Sequence, residues 1–163
     1  MGCRENGPVG KWLVRERNSA KRLFGEKGFG EMASAKWVSA KWVDTVLSKK
    51  FQRLCITGNP GIGKTFFGYY LLYLLALQNA TIVYDNFHET RPIIFEGGKA
   101  FISDKNGIER YVRRLDVWYI VDGKEPKEVK AKTILVCSPR KNHYWGFTKY
   151  DGVVTARFMP TWS

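Results

Sequence analysis

The stretch GNPGIGKT, Gly58–Thr65, decides the fold of this chain of 163 residues. It fits the pattern G-x-x-x-x-G-K-S/T at every fixed position. Glycines in this pattern let backbone N–H groups approach an anion, and the lysine and hydroxyl residues suit phosphate and Mg²⁺. An apolar run precedes the stretch and a longer one follows it. The stretch therefore predicts a phosphate-binding loop between a buried strand and a buried helix.

The whole loop and the residue after it are expected to contact a nucleotide. Lys64 offers a compact ammonium to the outer phosphates, and Thr65 offers a hydroxyl to Mg²⁺. The predicted ligands are ATP or GTP together with Mg²⁺. The expected cofactor-binding residues are Gly58, Asn59, Pro60, Gly61, Ile62, Gly63, Lys64, Thr65 and Phe66.

A second anchor is predicted at the end of the apolar run VWYIVDG, residues 117–123. A carboxylate at the carboxyl end of a strand points into the crevice where open α/β sheets bind ligands. We therefore expect Asp122 to hold the metal with Thr65; the alternative is a turn aspartate. Many ATP-hydrolysing proteins carry a glutamate directly after this aspartate, whereas Gly123 stands here. Glu125 is the candidate for that catalytic role, and a solvent-facing charge is the alternative.

The remaining pattern predicts an α/β fold with a mostly parallel sheet, because several strands are continuous apolar runs. Ser138 follows the strand 132–138 and is expected near the phosphates, where a polar group can orient water. If that strand lies beside 51–57, Cys55 and Cys137 occupy neighbouring strands as small buried residues. Strands are expected at 51–58, 81–86, 117–122, 132–138 and 152–160, with a hairpin around Gly97-Gly98. Helices are expected at 32–49, 65–79 and 104–114, and the last of them is expected to be capped by Asp104 or Asn106.

Composition limits the classes of protein and partner. Lys plus Arg number 27 against 15 acidic residues, for a net charge of +12, which indicates nucleic acid or simply a solvated basic surface. The three cysteines form no disulfide or zinc pattern, which indicates a reducing, intracellular location. We expect no signal peptide in MGCRENGPVGK and no membrane span, because the longest apolar run, 66–77, is too short.

Residues 1–49 are interpreted as a basic segment with a docking helix, and 50–163 as the core.

Five segments carry a resemblance to a known family: WLVRE (12–16), ITGNPGIGKTFFGYYLLYLL (56–75), VWYIVDGKEP (117–126), ILVCSPRKNHYWGFTK (134–149) and RFMPTWS (157–163). They resemble the P-loop domain of Crinkler-type effector proteins of oomycetes and fungi, and the related retrotransposon hot-spot proteins of trypanosomes look similar. The resemblance implies a three-layer P-loop NTPase of the additional-strand type, distantly like AAA+ and STAND modules. It also implies action in a host nucleus or cytoplasm.

Together these observations predict an NTPase core, without a C-terminal lid, that binds Mg-ATP and hydrolyses it slowly as part of an effector-type protein. The expected catalytic residues are Lys64, Asp122, Glu125 and Ser138. The alternative is a nucleotide-gated binding module for nucleic acid or a host nuclear protein with little turnover. A small-molecule kinase is a weaker third hypothesis. A homo-oligomer would allow a neighbouring subunit to supply an arginine finger.

Overall fold

The computed structural model describes residues 51–88, 90–104, 106–139, 141–149 and 154–159. The predicted basic segment and docking helix at 1–49 lie outside these residues. The described elements, in chain order, are β1 (Arg53–Thr57), α1 (Lys64–Leu77), β2 (Ile82–Asn86), β3 (Ile93–Glu96), β4 (Lys99–Ile102), α2 (Glu109–Val112), β5 (Trp118–Asp122), β6 (Lys132–Val136), α3 (Lys141–Lys149) and β7 (Val154–Phe158).

The strands form one seven-stranded sheet in the order β4-β3-β2-β5-β6-β1-β7. Five of them, β2, β5, β6, β1 and β7, run parallel, and β3 and β4 add an antiparallel hairpin at one edge. Leu135 of β6 pairs with Cys55 of β1 on one side and with Val121 of β5 on the other. The predicted α/β class, the hairpin, the tail strand at an edge and the β1–β6 pairing are confirmed.

Side chains from the two faces of the sheet pack into two separate cores. In β5, Trp118 and Ile120 enter the core beneath α1, whereas Tyr119 and Val121 enter the core on the opposite face. All four side chains are buried, and this burial on both faces explains why the sequence of β5 is a continuous apolar run. Within the described part of the chain, no helix combines the length and apolar content that crossing a membrane requires.

The predicted helix at 104–114 is wrong in its length and in its cap. Only four residues, Glu109–Val112, form α2, and no side chain caps it. The carboxylate of Asp104 instead accepts a hydrogen bond from the backbone N–H of Gly107. The backbone carbonyl of Asn106, not its side chain, accepts a hydrogen bond from the N–H at the start of α2. These polar residues therefore form a local turn before the helix, because short polar side chains compete with helical hydrogen bonds.

Candidate functional site

A cavity of about 400 Å³ opens at the carboxyl ends of the parallel strands. This is the edge at which open α/β sheets bind ligands. One wall consists of the loop after β1 and the first turn of α1, with the lining residues Pro60, Gly61, Gly63, Lys64, Thr65 and Phe66. The other wall consists of residues at or after the ends of β2, β5 and β6, namely Phe87, His88, Asp122, Gly123, Cys137 and Ser138.

The loop after β1 turns sharply into the helix. Gly61 and Gly63 have φ values of 79° and 83°, in the left-handed region that residues with a side chain rarely adopt. Gly63 is the N-cap of α1, and the first turn has neither a side-chain cap nor an acidic residue. The positive end of the helix dipole therefore faces the cavity without a carboxylate of its own helix to neutralise it.

Lys64 holds the loop in its curved shape. Its Nζ donates hydrogen bonds to the carbonyl oxygens of Gly58 at 2.9 Å and Asn59 at 2.7 Å. An ammonium group has three donors, so one more can reach a ligand in the cavity. Burial lowers the pKa of Lys64, and the nearby Asp122 carboxylate opposes that shift. A bound anion would favour the charged ammonium in the same way.

Asp122 lies at the end of β5 with only 8% of its surface exposed. Burial raises the pKa of Asp122, while a hydrogen bond from the Thr65 side chain and the charges of His88 and Lys64 lower it. The balance is a raised pKa, so the charged carboxylate is disfavoured in the protein alone. The structure brings Lys64 and Thr65 of α1 and Asp122 of β5 together in one cavity.

The oxygen atoms at this point suit Mg²⁺. This ion prefers oxygen ligands, keeps several waters, and is usually bound by one or two carboxylates together with substrate phosphates. Thr65 and Asp122 supply one hydroxyl and one carboxylate. Among the described residues, no group of three or more His, Cys, Asp and Glu side chains could hold a metal alone. A metal at Asp122 would therefore complete its shell with waters or phosphate oxygens.

The other two predicted catalytic residues differ in position. Ser138 follows β6 and lines the cavity. Glu125 is exposed and is not among the lining residues. Its Oε1 lies against α3, only 2.9 Å from where a β-carbon on Gly146 would stand. The structure thus brings Ser138, and not Glu125, to the cavity.

Phe87 and His88, which the sequence analysis did not single out, also line the cavity. Asn86 at the end of β2 pairs with Asp122, and the next residue, Phe87, donates its backbone N–H to the Asp122 carbonyl at 2.9 Å. The Phe87 side chain is 71% exposed, and its ring lies edge-on to that of His88, with 5.8 Å between centroids. In the sequence, Phe87 and His88 are marked only by their position directly after the predicted strand 81–86. Only the strand order of the sheet shows that this strand adjoins β5.

Two buried thiols lie next to each other at the neighbouring strands β1 and β6, and one of them reaches the cavity. Cys55 and Cys137 are buried on neighbouring strands, as predicted, with their Sγ atoms 4.0 Å apart. Their mutual hydrogen bond, together with burial, raises the pKa of Cys55. The same hydrogen bond lowers the pKa of Cys137, the thiol that lines the cavity.

Comparison with known proteins finds relatives of one kind. The chain is similar to Crinkler effector proteins 15 and 16 of Phytophthora infestans, at 26% identity over 117 residues in each case. The matched segment covers 66% of this chain but only 18% of the length of each relative. No protein-family profile matches the chain, and no solved structure matches it. These findings support a Crinkler-like relationship for this chain.

Proposed function

We propose that this chain is a P-loop NTPase core of the additional-strand type that binds Mg-ATP or Mg-GTP and hydrolyses it slowly. The observation that carries the proposal is the meeting of Lys64, Thr65 and Asp122 in one cavity. An ammonium, a hydroxyl and a carboxylate at one point suit a polyphosphate and its divalent ion. The strand order adds support, because β6 lies between the loop strand β1 and the aspartate strand β5.

Each residue has a distinct task in the proposed reaction. Lys64 offsets negative charge on the outer phosphates, and the N–H groups at the start of α1 bind their oxygens. Thr65 and Asp122 hold the metal, and Ser138 offers a hydroxyl to the outer phosphate or to a water. Bound Mg²⁺ would supply further electrostatic stabilisation of the transferred phosphate. We expect slow turnover, because no arginine is among the described residues that line the cavity.

A second candidate function is a nucleotide-gated binding module with little turnover. Gly123 in place of a glutamate favours it, and the net charge of +12 favours an anionic partner such as nucleic acid. In this case nucleotide binding shifts the population of the partner-binding conformation. The similarity to proteins named as effectors suggests a host protein as the other partner class.

A nucleotide-binding experiment separates these functions. The purified chain is titrated with fluorescent ATP and GTP analogues with and without Mg²⁺, and phosphate release is then measured under steady-state conditions. Lys64→Ala removes a charged hydrogen-bond donor worth about 1.5–3 kcal/mol, so the dissociation constant should rise about 10–150-fold. Lys99→Ala, which removes an exposed lysine in β4 with the same change in net charge, should leave the dissociation constant unchanged.

The outcomes of this experiment are distinct. Mg²⁺-dependent binding with phosphate release that Lys64→Ala abolishes supports the NTPase. Binding without release supports the nucleotide-gated module. Absence of binding by the unmodified chain, or equal loss in Lys64→Ala and Lys99→Ala, contradicts both.

A further inference from the structure

A glutamate at the position after Asp122 would be strained in this fold. Gly123 has a φ of 74°, in the left-handed region. A β-carbon at this position would lie 3.3 Å from the Cβ of Phe87. The chain after β2 therefore packs against the point from which the side chain of residue 123 would emerge. A side chain that positions the attacking water beside the outer phosphate must therefore come from another part of the chain than position 123.

The same chain segment brings His88 to the cavity. The hydrogen bond from the Phe87 N–H to the Asp122 carbonyl fixes the start of the segment beside β5. His88, one residue later, lines the same cavity as Asp122. Its ring also contacts the Phe87 ring at 5.8 Å. His88 is exposed to solvent and lines the side of the cavity opposite the phosphate-binding loop.

The remaining polar groups are less suited to hold a water there. Lys64 is a donor only, and Thr65 and Asp122 are assigned to the metal. Ser138 lies on the β6 side of the cavity, and its neutral hydroxyl is a weak proton acceptor. Glu125 lies against α3. Histidine is the side chain that most often exchanges a proton with a reacting group, and a neutral imidazole has one nitrogen that accepts a hydrogen bond.

We propose that His88 holds the attacking water in the proposed NTPase reaction, in the role that a glutamate after the aspartate plays in related sites. One imidazole nitrogen accepts a hydrogen bond from the water and aims its oxygen at the γ-phosphorus. The water oxygen forms a bond to that phosphorus while the bond to the β–γ bridging oxygen breaks. The electron pair stays on the β-phosphate of the diphosphate product, and a water proton passes to a γ-phosphate oxygen. The imidazole needs no change of charge.

The test compares rate and affinity in matched variants of the same chain. His88→Ala removes the acceptor, His88→Gln keeps a side-chain oxygen at similar reach, and Glu125→Gln tests the competing carboxylate. Glu128→Gln, which removes an exposed carboxylate outside the cavity, serves as the control. For each variant the single-turnover hydrolysis rate, the nucleotide dissociation constant and the melting temperature are measured.

We expect His88→Ala to lower the single-turnover rate about 100-fold, which is what a misplacement of the reacting group by about 1 Å can cost. Its dissociation constant should stay within about threefold of the unmodified chain, because His88 holds water and not nucleotide. His88→Gln should recover part of the rate, and the Glu125 and Glu128 variants should keep it. A merely structural role would change rate, affinity and melting temperature together and would not be rescued by glutamine.

Any one of four results overturns the proposal. One is an unchanged rate in His88→Ala. Another is a loss of rate in Glu125→Gln as large as in His88→Ala. The third is an unmodified chain that binds nucleotide and does not hydrolyse it, which leaves the nucleotide-binding proposal standing. An unmodified chain that binds no nucleotide overturns both proposals.

Discussion

Gly123→Ala should destabilise the chain because of its backbone conformation and its neighbour. At a φ of 74°, a β-carbon lowers the free energy of unfolding by about 1–2 kcal/mol. Alanine also makes the unfolded chain less flexible, which raises the free energy of unfolding by about 0.4–1 kcal/mol. The net cost from the backbone is about 1 kcal/mol. The contact at 3.3 Å with the Phe87 Cβ adds to this, because a backbone-attached atom cannot move away freely.

Gly98→Ala is the matched control for this prediction. Gly98 also has a φ of 74°, but a β-carbon there would meet nothing within 4 Å. Thermal unfolding followed by circular dichroism should show a decrease of about 2–4 °C for Gly98→Ala and a larger one for Gly123→Ala. Gly123→Glu should be destabilised at least as much as Gly123→Ala and should not hydrolyse nucleotide faster. A Gly123→Ala chain as stable as the unmodified one, or a faster Gly123→Glu, would refute the reasoning that this position disfavours a glutamate.

Two further predictions test the site and the core. Because the pKa of Asp122 is raised on folding, its ionisation costs stability as the pH rises from 3.8 through the raised value. Asp122→Asn should therefore raise the melting temperature of the nucleotide-free chain at pH 7, show no such gain below pH 3.8, and remove the Mg²⁺-dependent part of nucleotide binding. In α1, Leu71→Ala empties a fully buried position and should cost about 2–5 kcal/mol in chemical denaturation, whereas Leu77→Ala, at a position 42% exposed, should stay within about 0.5 kcal/mol.

The local sequence predicted the elements that surround the loop. GNPGIGKT allows few conformations, and the apolar runs on both sides are long enough to identify a buried strand and helix. The pair Gly97-Gly98 marked the hairpin between β3 and β4, because both residues adopt positive φ values. Apolar patterning also identified β5 and β6 as strands buried on both faces.

The sequence did not predict those features that depend on contacts between segments far apart in the chain or on a specific side-chain hydrogen bond. Patterning shows that β2 is buried, but it does not show that β2 adjoins β5, so His88 could not be connected with Asp122. The Glu125 side chain comes after the left-handed turn at Gly123 and lies against α3, a contact that local sequence patterns do not predict. The four-residue length of α2 reflects a turn closed by the Asp104 side chain, which a helical pattern conceals.

The strand order sets the width of the cavity and decides which residues face each other across it. Because β6 separates β1 from β5, the loop and Asp122 are anchored two strand spacings apart, or about 9–10 Å. Thr65 crosses part of that gap to Asp122, and Cys137 and Ser138 at the end of β6 form its floor. The next strand outward is β2, so the residues that follow it lie beyond Asp122, on the side opposite the loop. A group that acts on a water there is therefore best supplied by the segment after β2, where His88 lies.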